Sequence, residues 1–258
     1  MPLLTGRALP GLQPHTTKTS NSVFRGDVLL ENDEIERGFL KDLDLRQLAN
    51  ELLVGVLGRA LGVSVPDIAL VLVTPDVSTQ FNKVTDRTGA GKVAFFSFDA
   101  NAPTVAQIIS AGGALPPALR SSPATGQMYG FDTWVANVDR HRNNILLSGS
   151  GKAFLIDHGH CFTGPEWKKE HLNATKAYRT PLVGWLTPEL TDQDKSQAIS
   201  DVLNLVQKMI ETDVHDAMSE ALSVQLYGAD DSDALLGFLE SRIEHVEKLA
   251  AASLGILV

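Results

Sequence analysis

The chain has 258 residues, of which 43% are hydrophobic and 21% charged, with a net charge of −9. This is enough apolar material for a sizeable core, without an apolar run of membrane-spanning length. The acidic balance argues against direct nucleic-acid binding and against stable association with an anionic membrane. A single cysteine, Cys161, rules out an intramolecular disulfide and fits a reducing compartment. The opening Met1-Pro2-Leu3-Leu4 carries no sustained apolar region of the secretory type, so a cytoplasmic location is expected.

Residues 1 to about 16 are rich in Pro, Gly and Leu without a period and read as an irregular arm. A hydroxyl-rich loop, Thr16 to Ser22, leads into a strand from Val23 to Leu30, and Gly38 to Leu40 ends a second strand of a hairpin. Between Leu43 and Leu61 the apolar residues Leu45, Leu48, Leu52, Val56, Leu57 and Leu61 fall at spacings of three and four, which predicts an amphipathic helix stopped by Gly62. Gly55 and Gly58 inside it would allow close packing. Strands follow at Ile68 to Val73 and Val93 to Phe98, separated by a turn region.

Helices then dominate: Thr104 to Ala111, Thr125 to Asn137, a capped helix from Thr191 to about Glu211, and a last one over about Ser232 to Ala251. Among them lies a polar loop, Asp139 to Asn144. Two short strands come next, Ile145 to Leu147 and Ala153 to Ile156, turned by Ser148-Gly149-Ser150-Gly151. The expected fold class is α+β in two lobes: a small β-rich N-lobe over residues 1–100 and a mainly helical C-lobe over residues 101–258.

The polar loop and the second short strand carry the chemistry. Phosphoryl transfer needs a carboxylate to orient the attacking hydroxyl, metal ligands to neutralise phosphates, and a cation on the nucleotide. Asp139 suits the first task. Asn144, five residues later, offers an amide oxygen, and Asp157 at the end of its strand offers the anionic oxygen that Mg²⁺ prefers. Each is unremarkable alone, but their order and element types match the catalytic and metal-binding loops of kinases. His141 either hydrogen-bonds Asp139, assists at the phosphate, or packs the loop. Arg140 is placed to brace the loop by pairing with a carboxylate, and Gly159 to let the chain turn sharply after Asp157.

The stretch from Asn137 to Phe162 resembles HipA-like serine/threonine kinases, and also phosphoinositide kinases, with Asp139-Arg140-His141 and Ile156-Asp157-His158-Gly159 in place of the His-Arg-Asp and Asp-Phe-Gly of eukaryotic protein kinases. The phrase Leu61-Gly62-Val63-Ser64-Val65-Pro66 fits the same family. The resemblance implies ATP and Mg²⁺ as cofactors, Lys41 on the α- or β-phosphate, and Glu51 bracing it; Lys18 is a rival for the first role, Glu34 and Glu36 for the second. It implies a Ser/Thr hydroxyl of a protein as acceptor, and an antitoxin-like regulator as a partner. It also implies an accessory N-terminal subdomain that a chain of this length would lack. A lipid or small-molecule alcohol kinase is the alternative, with Trp167-Lys168-Lys169 as the one sign of a membrane-facing loop; a nucleotide-binding pseudokinase is the third reading.

Neither a glycine-rich Gly-x-Gly-x-x-Gly nor a Walker-type loop is present. Thr19, Ser20, Asn21 and Ser22 either offer hydroxyls and N–H groups to phosphates or form a plain turn. By resemblance, Ser20 and Ser22 are also candidates for autophosphorylation. The run Asp157-His158-Gly159-His160-Cys161 with His171 raises zinc as a possibility, against which stands the absence of a Cys-x-x-Cys partner; nothing beyond nearby histidines would activate Cys161 as a nucleophile.

Overall fold

The computed structural model describes residues 3–15, 21–120 and 123–256. Its N-terminal part is β-rich: β1 (Leu4–Ala8), β2 (Gln13–Pro14), β3 (Ser22–Leu30), β4 (Ile35–Asp42), helix α1 (Leu45–Ala60), β5 (Ile68–Val73), β6 (Val84–Thr85) and β7 (Lys92–Phe98). The arm expected to be irregular therefore contains a strand. β1 runs parallel to β5 and antiparallel to β3, and the pairings continue from β5 to β7, β4 and back to β3. The sheet thus closes on itself, which removes the open edges that β1 and β3 would otherwise present. Phe24, Val28, Leu40, Val71, Ala94 and Phe96 fill its interior as a separate small core. No periodicity in Leu4-Thr5-Gly6-Arg7-Ala8 announces this strand, because both of its partners lie far along the chain.

The β3–β4 hairpin pairs Val23 with Lys41 and Phe24 with Leu40, so that Lys41 follows an inward-facing leucine near the end of its strand. Helix α1 forms where the three-and-four spacing predicts it. It ends in a loop where Gly62 takes the left-handed conformation at φ 68°, and the N–H of Val63 closes back on the Gly58 carbonyl at 2.8 Å. Asp44 caps its start without a side-chain hydrogen bond and is instead held by Lys83 Nζ at 2.9 Å.

The remainder is helical apart from one hairpin: α2 (Val105–Gly112), α3 (Pro123–Trp134), β8 (Ile145–Leu147), β9 (Ala153–Leu155), α4 (Leu182–Trp185), α5 (Asp192–Glu211), α6 (Val214–Ser223), α7 (Ala229–Arg242) and α8 (Val246–Leu254). Thr104 and Thr191 cap α2 and α5 through reciprocal bonds with Gln107 and Asp194. The single last helix expected from the sequence is two, separated by a 3₁₀ turn at Ile243–His245. The larger core runs continuously from Leu48, Leu52 and Leu53 of α1 through Met128 and Phe131 of α3 to Val202, Leu239 and Leu254. Helix α1 therefore shares its core with the C-terminal helices although its neighbours in sequence build the barrel.

Candidate active site

The loop from Asn137 to Asn144 leaves α3 through Ala136, which takes a left-handed φ of 47°. Asn137 Oδ1 accepts the N–H of Asp139 at 2.9 Å and so sets the direction in which that carboxylate leaves the chain. Asn144 is buried, and its Nδ2 donates to the Asp139 carbonyl at 2.8 Å and to Asp139 Oδ2 at 3.3 Å. With Nδ2 so used, Oδ1 is the Asn144 atom suited to a cation. His141 Nδ1 accepts the N–H of Asn143 at 3.3 Å, so in the neutral ring the proton sits on Nε2, 3.6 Å from Asp139 Oδ2. The structure therefore places His141 against Asp139 rather than in a purely packing role.

Asp157 follows β9 after one intervening residue, Ile156. Gly159 lies in the turn expected after Asp157, closed by the Cys161 N–H on the His158 carbonyl at 3.0 Å, and it passes close to α1, where an added Cβ would touch Gln47 at 3.5 Å. Asp157 itself takes a left-handed backbone at φ 59°, a conformation that aspartate tolerates better than most side chains.

One side chain ties the two loops together. Arg140 is fully buried; its Nε and Nη2 grip Asp132 of α3 at 2.9 and 3.0 Å, and its Nη1 donates to the carbonyls of Asn144 at 2.8 Å and Ile156 at 2.5 Å. Nη2 also reaches His158 Nδ1 at 3.2 Å. Burial would lower the guanidinium pKa, but Asp132 holds it above its ordinary value. His158 is kept neutral: burial first, then the Arg140 and Lys41 charges, push it well below the usual imidazole range. With Nδ1 accepting from Arg140, Nε2–H donates to the Leu155 carbonyl at 3.2 Å. The bracing pair expected of Arg140 is present. Its carboxylate, Asp132, and the aligning Asn137, whose Nδ2 also donates to Asp132 Oδ1 at 3.0 Å, were not singled out in the sequence. The signal was there in the i, i+8 spacing of an acid that is the one charged residue of its helix, in Phe131-Asp132-Thr133-Trp134.

From the barrel side, Lys41 Nζ donates to Glu51 Oε1 at 2.8 Å and also contacts Asp157 Oδ1. Burial would lower the Lys41 pKa, yet Asp157 and Glu51 together raise it above its ordinary value, and the ammonium stays charged. Burial also opposes ionisation of Asp157, and Lys41 overcomes it, so its carboxyl lies below the usual carboxylate range. Glu51 Oε2 accepts the N–H of His158 at 2.9 Å, which makes Glu51 a link between the Lys41 strand and the Asp157 turn. The rivals are elsewhere: Glu34 bonds Asn32 in the β3–β4 turn and Glu36 is half-buried on β4 opposite Val28, while Lys18 lies outside the described residues.

Next to Glu51, the fully buried Asn50 was also missed. Its Nδ2 donates to the Gly159 carbonyl at 2.9 Å, and its Oδ1 accepts from Trp167 Nε1 at 3.0 Å and Tyr227 Oη at 2.8 Å. Ser22 is exposed at the start of β3, opposite Asp42 and one register position from the Val23–Lys41 pair; Ser20 lies outside the described residues. No zinc arrangement forms at 157–161: both His158 nitrogens are engaged, and the buried Cys161 thiol is pushed well above its ordinary pKa by burial. Trp167, read as part of a membrane-facing sign, is buried on Asn50 and carries no such role.

The donor set suits MgATP. Asp157 Oδ2 and Asn144 Oδ1 are hard oxygen ligands, and Lys41 is a charged donor held by two carboxylates. Among solved structures, the chain is similar to a Helicobacter pylori proinflammatory kinase, CtkA, at a TM-score of 0.61 and 12% identity, over 97% of this chain and 99% of that one. That likeness concerns the fold. No curated protein matches. A family model described as HipA-like kinase matches residues 38–217. That match takes in Lys41, Glu51, Asp139, Asn144 and Asp157 and covers more than two thirds of the sequence, and on it the chain belongs to the HipA-like kinase family.

Proposed function

We propose that this phosphotransferase is a MgATP-dependent kinase acting on a serine or threonine hydroxyl of a protein in the cytoplasm. Residues 1–100 would form the lobe that covers ATP and residues 101–258 the lobe that carries the catalytic loops. The observation that carries this reading is the buried Arg140, which holds the Asn144 carbonyl, the Ile156 carbonyl before Asp157 and the Asp139 loop in one unit linked to the Lys41–Glu51 pair. An antitoxin-like regulator belongs to this proposal through the family alone.

Asp139 would orient the acceptor hydroxyl and take its proton at a carboxylate oxygen, with Asn144 and His141 fixing the carboxylate's angle. Lys41 would hold the phosphates, and Glu51 would keep the ammonium anchored when the nucleotide draws it from Asp157. Bound at Asn144 and Asp157, Mg²⁺ would neutralise phosphate charge. Ser22, exposed beside the Lys41 strand, and Ser20 are the proposed phosphate-loop or autophosphorylation positions.

The test is incubation of purified protein with Mg²⁺ and γ-labelled ATP beside Asp139→Ala and Asp157→Ala, following label into the protein itself and into a cell lysate. Label on a lysate protein that disappears in both variants is the expected result. ATP binding without transfer to any protein would refute the protein-kinase reading, and absence of ATP binding would refute the kinase reading altogether.

A further inference from the structure

Beside the Asp139 loop lies a cavity of about 160 Å³ whose charged lining is Arg120, Arg142 and Glu189, with Trp185 as one wall and Ile109 and Leu115 among the others. Two guanidiniums face one carboxylate there, on a chain whose net charge is −9. Glu189 does not saturate them. Its Oε2 is 3.7 Å from Arg120 Nη2, too long for a hydrogen bond, and the Arg120 Nε is buried without a hydrogen-bond partner among the described residues. Arg142 has no carboxylate partner among the described residues. Its guanidinium carbon lies 5.5 Å from the centre of the Trp185 ring, within cation–π range. Trp185 is itself fixed, since its Nε1 donates to the carbonyl of Arg140 at 3.1 Å.

We infer that this pocket is a specificity site that takes an oxyanion, the carboxylate of an acidic side chain or the phosphate of a modified one, on the acceptor protein next to the hydroxyl to be phosphorylated. An unpartnered buried guanidinium nitrogen carries a desolvation cost that a bidentate oxyanion removes. The distance is right for a neighbouring residue. Arg142 stands three positions after Asp139, so their Cα atoms are at most about 11 Å apart, and an extended peptide covers that span in about two to four residues. The anionic residue would therefore sit about two to four positions from the phosphorylated serine or threonine. This inference rests on the protein-kinase reading above.

The experiment uses the full chain with Mg²⁺ and a non-hydrolysable ATP analogue. Three serine peptides without aromatic residues are titrated in, carrying Glu, phosphoserine or Gln at the flanking positions. Binding is followed by calorimetry and by tryptophan emission, in which Trp185 is the half-buried reporter and Trp134 and Trp167 are buried. The Glu or the phosphoserine peptide should bind about tenfold tighter than the Gln peptide, the effect of one charge-assisted hydrogen bond. Which of the two binds tighter distinguishes carboxylate from phosphate. Arg142→Gln and Arg120→Gln should each lose most of that difference, while thermal melting like that of the parent verifies their folding. Equal binding of all three peptides, no binding of any, or a preference that survives in the double variant would overturn the inference. Parallel assays with γ-labelled ATP separate the two readings. Transfer to the Gln peptide as readily as to the Glu and phosphoserine peptides sinks the pocket and leaves the kinase; anion-dependent binding with no transfer to any protein or peptide sinks the protein-kinase reading and leaves the pocket.

Discussion

Replacing Asp132 by alanine isolates the brace between the two loops. Arg140 and Asp132 have side-chain exposures of 0% and 1%, so the variant would strand a guanidinium in the core with only carbonyl and imidazole partners. Two charge-assisted bonds, at 2.9 and 3.0 Å, disappear, and Asn137 Nδ2 loses its acceptor at 3.0 Å. Breaking a buried ion pair by removing one partner costs about 3–5 kcal/mol. For a chain of this size that corresponds to a fall in melting temperature of roughly 6–20 °C. Asp132→Asn keeps the shape and one acceptor oxygen and should cost less. The double change Asp132→Leu with Arg140→Met leaves no buried charge and should recover much of the stability lost in the single variant. It should not recover phosphoryl transfer, because the carbonyls of Asn144 and Ile156 would no longer be held together. Urea unfolding of all four proteins, followed by circular dichroism, measures the ledger, and transfer of label from ATP measures the site. An Asp132→Ala protein within about 1 kcal/mol of the parent would refute the reasoning, since Arg140 would then be satisfied by the carbonyls alone.

Three further outcomes are expected. His158 is neutral in the folded protein, whereas the unfolded chain takes a proton on this ring below about pH 6.5, so stability should decline as pH falls through that value, by up to about 1.4 kcal/mol per pH unit for this group. His158→Gln should flatten the decline in urea midpoints between pH 7.5 and 5, and an unchanged slope would exclude His158 as its source. Asn50→Ala leaves the Trp167 indole N–H and the Tyr227 hydroxyl without their acceptor and should lower stability by roughly 2–5 kcal/mol in thermal unfolding; a loss below about 1 kcal/mol would mean the hub is dispensable. At Gly126 in α3 an added Cβ would lie 2.3 Å from Asp201 Cβ and 2.6 Å from the Ala198 carbonyl of α5, so Gly126→Val should cost at least about 1–3 kcal/mol. Gly237→Ala in α7, which meets nothing within 4 Å, should be neutral or stabilise by up to about 1 kcal/mol, and equal effects at the two positions would contradict the close α3–α5 contact.

What the sequence determined by itself is local. The three-and-four spacing of α1, the Gly62 stop, the helix beginning at Thr104, the cap at Thr191, and the short strands around Ser148–Gly151 all depend on neighbours within a few residues, and all are found in the structure. Asp139, His141 and Asn144 could be grouped for the same reason, since they share one loop and one set of short-range bonds. Tertiary structure decided what long-range contacts decide. Lys41 meets Asp157 across 116 positions, Asn50 meets Gly159 across 109, and Glu51 meets the His158 N–H across 107. β1 has no pattern of its own and becomes a strand only because β3 and β5 offer unpaired backbone on both sides. The left-handed backbone of Asp157, at φ 59°, likewise has no signal in the neighbouring residues. The physical reason is common to all of these: a pattern records which residues prefer water or core, whereas a buried charge or an unpaired backbone takes the partner that the folded geometry brings within about 3 Å.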